Sequence, residues 1–101
     1  MDDNFSRNMM LHITNGLIEA VDSERNDTIL TLSYTDCINC NQREQRIRLV
    51  VGSNTIVMDE SGRRINALDL VTRMIINATH SSVITRSTPP KTTAFEVRVI
   101  R

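Results

Sequence analysis

The fold prediction depends first on a stretch near the start of the chain, which reads Leu11-His12-Ile13-Thr14-Asn15-Gly16-Leu17-Ile18-Glu19-Ala20-Val21. Leu11 and Ile13 would face one side and His12 the other, as in a half-buried β-strand. A glycine inside a strand most often marks a bulge or a sharp bend, which small barrels use to turn corners. The stretch therefore predicts a strand that is bent at Gly16.

The rest of the chain predicts four further strands with the same alternation, and they cover residues 28–34, 46–58 with a bend at Gly52, 74–79 and 94–100. In the last of them, Phe95, Val97 and Val99 would share one face. The polar residues 35–45 are predicted to form a hairpin loop.

One segment is typical of a helix. Asn66 is a good N-cap, Asp69 nearly completes a capping box, and the apolar residues Leu68 and Val71 are three apart. We expect a helix of about two turns. Five strands with one short helix between strands 3 and 4 is the order of the OB-type barrel, so we predict a mostly β fold, a small five-stranded OB-like antiparallel barrel. An open five-stranded sheet with one helix packed across it is the alternative.

The composition fits one soluble domain, since the 101 residues are 40% apolar and 24% charged. We predict a flexible N-terminal lead-in over residues 1–10 and a single OB-like β-barrel domain over residues 11–101. Lys+Arg and Asp+Glu number 12 each, so a nucleic-acid partner is not expected from charge. No apolar run is long enough for membrane insertion. The location would be cytoplasmic if the chain is complete and extracellular if a leader was removed.

The second half of the chain supports a resemblance. It contains residues 54–62, the short helix, a strand, the loop Thr85-Arg86-Ser87-Thr88-Pro89-Pro90 and the closing strand 94–100. This order resembles a small β-barrel module found in uncharacterised proteins of clostridial-type bacteria, in which the Thr-Arg-Ser-x-Pro-Pro loop is the most distinctive part. That module usually has glycine after the short helix, where this chain has residues 71–73. The resemblance implies the barrel fold and assigns no activity.

Cys37 and Cys40 form a Cys-x-x-Cys pair with three interpretations: half of a zinc site, a redox pair, or an incidental pair. A structural zinc site needs four ligands, and the other candidates, His12 and His80, lie in different parts of the chain. A redox pair is expected at a helix N-terminus, whereas this pair falls in the hairpin loop. We favour the incidental pair and predict no cofactor and no metal, with Cys37 and Cys40 as the candidate ligands if a metal is bound.

The sequence offers no clear catalytic group. His12 is expected on the outer face of the first strand, and His80 precedes Ser81 and Ser82 in a loop without any evident oxyanion site. We therefore predict that the chain is not an enzyme.

Two classes of function remain. The first is a non-enzymatic binding or interaction module that contacts a protein, a peptide or a glycan. The alternative is a single-stranded nucleic-acid-binding or metal-linked OB-fold protein, which would need a basic groove and aromatic platforms. The arginines that could share an outer face are Arg46, Arg48, Arg98 and Arg101, whereas the aromatic residues are only Phe5, Tyr34 and Phe95. We favour a solvated face and the first class, and a homodimer could cover the barrel edges.

The strongest site candidate is the long loop predicted over residues 80–93, because long loops are often functional. The predicted binding residues are Thr85, Arg86, Ser87, Pro89 and Pro90. The prolines would stiffen the loop, and Val83 and Ile84 would anchor it by burial. Arg86 between two hydroxyls would then suit a carboxylate, a phosphate or a set of carbonyls. In the alternative interpretation, Arg86 caps carbonyls or pairs with Asp59 or Glu60 and locks the loop onto the barrel.

Overall fold

Six strands and one 3-10 turn form the regular structure of residues 10–38 and 41–101, the part of the chain that the computed structural model describes, without the side chains of residues 37 and 38. In chain order they are β1 (Met10–Glu24), β2 (Asp27–Ile38), β3 (Asn41–Val51), β4 (Ile56–Met58), the 3-10 turn (Ala67–Asp69), β5 (Ile75–Ser81) and β6 (Lys91–Val99). Most of the predicted lead-in thus lies outside the described residues, and Met10 already belongs to β1.

Five of these strands form a closed barrel. β1 pairs antiparallel with β2 and with β5, β2 pairs with β3, and β5 pairs with β6. The ring closes where Arg48–Val50 of β3 pair with Lys91–Thr93 of β6. The predicted small five-stranded barrel is confirmed, but it is mixed rather than wholly antiparallel, because β3 and β6 run in the same direction.

The predicted strand 46–58 is divided into β3 and β4 at the bend after Val51. Thr55 holds this bend from a buried position. Its hydroxyl accepts a hydrogen bond from the Gly52 N–H at 3.0 Å and donates one to the Ala94 carbonyl at 2.8 Å. As a result, the chain turns away from β3, and β4 pairs in parallel with β6 along the edge that is not paired with β5.

The bend predicted at Gly16 is present and transfers β1 from one neighbour to another. β1 pairs with β5 from Met10 to Leu17 and with β2 from Leu17 to Glu24, with an irregular register between Ile13 and Gly16. A Cβ at Gly16 would lie 3.1 Å from Ile13 Cγ2 and 3.3 Å from Leu32 Cδ1. Any side chain at this position would therefore require Ile13 and Leu32 to move by a few tenths of an ångström, which favours glycine at the bend.

The barrel interior holds one apolar core, which consists of Ile13, Ile18, Leu30, Leu32, Ile47, Leu49, Val51, Val57, Leu70, Ile76, Ala78, Ala94, Val97 and Val99. The face predicted for Phe95 is wrong, because its side chain is 41% exposed. Thr79 pairs with Glu96 and His80 with Ala94, which leaves Phe95 as the extra residue of a bulge. The bulge shifts the alternation by one residue, so that both Ala94 and Val97 face the core.

The predicted capping box at Asn66 is present, but it begins only a single 3-10 turn. The Asn66 side chain accepts from the Leu68 N–H at 2.9 Å, and Asp69 accepts from the Asn66 N–H at 3.1 Å. Leu70 is already extended and buried under the barrel, whereas Leu68 and Val71 are exposed. The predicted helix of two turns is wrong because burying Leu70 ends the turn. In the described residues, no helix has the length and apolar composition needed to cross a membrane.

The predicted hairpin loop over residues 35–45 is mostly strand. β2 and β3 remain paired out to Ile38 opposite Asn41. The side chains from Thr35 to Glu44 that the structure describes are exposed, which fits a hairpin that projects from the barrel. The polar composition of residues 35–45 therefore reflects a solvent-exposed part of the β2–β3 hairpin rather than the end of the strands.

Arg73 follows the 3-10 turn with a φ of 76° and donates its N–H to the Ile18 carbonyl at 2.8 Å. Positive φ disfavours any residue with a Cβ, at a cost of roughly 1–2 kcal/mol.

We expect Arg73→Gly to raise the free energy of unfolding by about 0.5–1 kcal/mol, because relief of the positive φ exceeds the entropy that glycine adds to the unfolded chain. Urea denaturation measures the change. Arg63→Gly is the matched control, since Arg63 is also exposed but has no positive φ, and it should lower stability. Equal destabilisation by both changes would contradict the strain at Arg73.

Candidate functional site

The barrel wall is interrupted at one end between β1 and β2. Within the described residues, β1 has no partner other than β5 before Leu17, and β2 has no partner other than β3 after Ser33. An open cleft of about 320 Å³, called the mouth here, lies at this interruption. It is lined by Leu11, His12, Ile13, Tyr34, Asp36, Gln45, Arg46, Ile47, His80, Ile84 and Pro90.

Tyr34 lies where β1 and β2 separate. Its side chain is half-buried, packs against the core, and lines both the mouth and a smaller cleft on the outer side. Burial raises the pKa of the phenol above its ordinary value, and the nearby charge of Asp36 adds to the rise. The Tyr34 hydroxyl therefore stays protonated well beyond neutral pH and is available as a hydrogen-bond donor.

His80 belongs to β5, not to a loop, and alternates with Ile76 and Ala78 on the face that points inside the barrel. The side chain is only 4% exposed, and Nδ1 lies 2.9 Å from the Ser81 carbonyl oxygen. Since a carbonyl oxygen can only accept, Nδ1 donates this hydrogen bond.

His80 also lines the mouth. Its imidazole is therefore a polar group among the apolar walls of this cleft, although most of the residue is buried.

The predicted loop is shorter than expected, because β5 extends to Ser81 and β6 begins at Lys91. Its hydroxyls form a chain in one direction. The Lys91 N–H donates to Thr85 Oγ1 at 2.9 Å, Thr85 Oγ1 lies 2.6 Å from Ser87 Oγ, and Ser87 Oγ donates to the Pro89 carbonyl at 2.9 Å. Both hydroxyls predicted to assist Arg86 in binding are therefore already used to hold the loop.

Arg86 is exposed and makes no hydrogen bond or ion pair within residues 10–38 and 41–101. The alternative pairing with Asp59 or Glu60 is therefore not present. Asp59 instead accepts from Ser61 and from the Arg63 N–H, and these hydrogen bonds hold its pKa below the ordinary value.

The anchor of the loop also differs from the prediction. Val83 and Ile84 are 63% and 42% exposed, so they do not fix the loop by burial. The buried Thr92 does so instead, because its hydroxyl lies 2.9 Å from the Ser81 carbonyl and 2.8 Å from the Val83 carbonyl. Pro90 adds a third link, since its carbonyl accepts from the Arg48 N–H at 2.8 Å. These bonds place Ile84 and Pro90 against the mouth.

The basic side chains that were expected on an outer face are largely engaged. Arg46 donates to Glu19 at 2.9 Å, a bond that raises the pKa of Arg46 further, and Glu44 lies 3.7 Å away. Glu24 lies 3.8 Å from Arg48 and 3.3 Å from Lys91. Arg98 donates to the Glu60 carbonyl at 3.3 Å, while Arg101 is exposed at the end of the chain.

A larger open cleft of about 520 Å³ lies on the outer surface, where it is lined by Glu24, Arg25, Asp27, Ile29, Val50 and Lys91. The lining contains two acidic side chains, Glu24 and Asp27, and two basic ones, Arg25 and Lys91. Glu24 and Lys91 form an ion pair within this cleft. Glu24 is also paired with Arg48, whereas Arg25 and Asp27 form no ion pair with a described residue.

The predicted metal candidates, Cys37 and Cys40, lie outside the side chains that the structure describes. Among those that it does describe, no group of three His, Cys, Asp or Glu side chains could hold a metal ion.

Sequence reasoning placed the site on the loop and missed Tyr34, Asp36 and His80. A signal for His80 was available, because it follows Ile76 and Ala78 in the buried register of a strand, where a polar ring requires a reason. The separation of β1 from β2 had no sequence signal. Compared with known proteins, the chain matches no family, no curated sequence and no solved structure.

We expect Thr92→Val to lower the free energy of unfolding by about 1–3 kcal/mol, because the Val83 carbonyl loses its donor inside the loop. Thr93→Val makes the same change at the exposed neighbouring position and should alter stability by no more than about 0.5 kcal/mol. Urea denaturation of both variants provides the comparison. Equal effects would show that Thr92 does not anchor the loop.

Proposed function

We propose that this protein is a non-enzymatic binding module of the OB type, which binds a segment of a protein, a peptide or a glycan at the mouth. The OB assignment is supported by five barrel strands in the cyclic order β1-β2-β3-β6-β5 and by an incompletely paired wall, as expected for a partly open barrel. The resemblance to the clostridial-type barrel module belongs to the same proposal.

The arrangement of the mouth is the observation on which the proposal rests. Leu11, Ile13, Ile47, Ile84 and Pro90 provide apolar walls. The polar groups between them differ in type: His80 provides an imidazole, Tyr34 a hydroxyl and Asp36 a carboxylate. A mostly apolar cleft with a few convergent polar groups is the usual form of a binding site.

The loop predicted to bind contributes in a different way. Thr85, Ser87 and Pro89 keep it in shape, and Pro90 forms part of the mouth wall. Arg86 is held on this fixed loop as an exposed guanidinium, which suits a carboxylate of the ligand. We therefore retain Arg86 and Pro90 as contact residues and assign Thr85, Ser87 and Pro89 to support.

Single-stranded nucleic acid is the less favoured ligand. Binding of nucleic acid without sequence preference depends on a basic track and on aromatic platforms. Arg46 and Arg48 of β3 are paired with Glu19 and Glu24 of β1, so the surface around these strands presents both signs of charge.

NMR titration of the ¹⁵N-labelled protein tests the proposal, with short peptides, chito-oligosaccharides and a thymidine oligonucleotide as the probes. We expect a peptide or sugar to shift the amide signals of residues 11–13, 34–36 and 80–90. Shifts confined to Glu24, Ile29 and Lys91 would place binding at the other cleft. Tight, salt-sensitive binding of the oligonucleotide would favour the nucleic-acid function instead.

The variant Tyr34→Phe tests the role of the mouth in binding, because it removes one hydroxyl and keeps the ring that packs on the core. We expect it to weaken binding of a probe that contacts the mouth by about three- to tenfold, the effect of one hydrogen bond. Thr35→Val removes a neighbouring exposed hydroxyl that does not line the mouth and should leave binding unchanged.

A further inference from the structure

The interruption between β1 and β2 leaves an edge of β-sheet exposed inside the mouth. A strand directs its N–H and C=O groups to both sides, and β1 from Met10 to Thr14 is paired on the β5 side alone. In the described part of the chain, the side that faces β2 has no strand partner before Leu17. Such an edge is a template for another strand.

The edge lies beside exposed apolar side chains. Leu11 is 38% exposed and lines the mouth together with Ile84, and the adjacent Met10 is also exposed. Stable proteins commonly protect an edge with charged side chains or proline. Residues 10–14 contain neither lysine, arginine, an acidic residue nor proline.

We propose that the mouth binds an extended peptide segment of a partner protein, which adds as a strand to the free edge of β1 at Met10–Thr14. This inference rests on the proposed function and names the ligand class of the same site. Only an extended backbone can supply the alternating donors and acceptors that the edge requires, which is the physical basis of recognition by strand addition.

The charges at the mouth specify the chemistry of the peptide. Arg46 forms ion pairs with Glu19 and Glu44, whereas Asp36 forms no ion pair among the described contacts. Arg43, opposite Asp36 in the ladder, does not line the mouth. The unpaired carboxylate favours a basic side chain, and the apolar walls favour an aliphatic one. Asp36 continues the inward-facing series of Leu32 and Tyr34, so it lies on the same face as the apolar walls. The partner is therefore an extended segment that carries an aliphatic and a basic residue two positions apart, on one face.

The test uses the acetylated and amidated peptide Thr-Val-Thr-Arg-Thr, in which valine and arginine share one face, and the same peptide with N-methyl groups at the valine and the arginine. A second methylated peptide has N-methyl groups at the threonines, so that the N–H groups on the other side of the strand are also tested. We expect the parent peptide to shift the amide signals of residues 10–14 and to give cross-strand contacts to them. One of the methylated peptides should bind at least about tenfold more weakly, because it cannot donate to the edge.

The charge component has its own pair of variants. We expect Asp36→Asn to weaken binding of the parent peptide by about threefold or more, since the basic side chain loses its partner. Asp22→Asn removes an exposed carboxylate from the far part of β1 and should leave the affinity unchanged.

Equal binding of all three peptides would overturn strand addition and leave a binding site at the mouth. Binding of oligosaccharides alone at the mouth would also overturn it while the proposed function stands. Failure of every peptide and sugar to bind would overturn both. Concentration-dependent shifts at residues 10–14 without peptide would assign the edge to a second copy of the chain and would contradict the inference.

Discussion

The parallel pairing of β3 with β6 is the interaction on which the rest of the structure depends. Only Arg48–Val50 and Lys91–Thr93 take part, yet they convert a sheet with two edges into a closed wall. Closure surrounds the apolar core and pairs the edges that β3 and β6 would otherwise expose, while the part of β1 before Leu17 stays unpaired on its β2 side. The Arg48 N–H also bonds to the Pro90 carbonyl, so the pairing begins within the loop that delivers β6.

The barrel closes between β3 and β6, but its wall is incompletely paired between β1 and β2. The bend at Gly16 makes β1 serve two neighbours in turn, β5 first and β2 later, so neither contact covers its whole length. The resulting gap lies next to the loop of residues 82–90, whose Pro90 lines it. The elements that stabilise the barrel therefore also form the mouth, and a rigid frame around a binding cleft reduces the entropy lost on binding.

The sequence predicts those parts of the molecule in which local chemistry and tertiary packing agree. Alternation in β2, the bend at Gly16 and the cap at Asn66 are local signals, and the structure contains all three. Phe95 was misplaced because a bulge opposite His80 is set by register between strands, which a single strand does not encode. The binding role of Arg86 stays a prediction. The mouth could not be predicted, because it joins residues far apart in the chain and depends on which strands fail to pair.

Hydrogen exchange of backbone amides, followed by NMR, tests the closed barrel most directly. The account predicts that the amides bonded between Arg48–Val50 and Lys91–Thr93 exchange nearly as slowly as those of Leu30 and Leu32, because opening the seam requires exposing the core. It also predicts alternating slow and fast exchange along Met10–Thr14, where only one side of the strand is paired. Fast exchange at the seam with slow exchange elsewhere would mean an open sheet and would contradict the account.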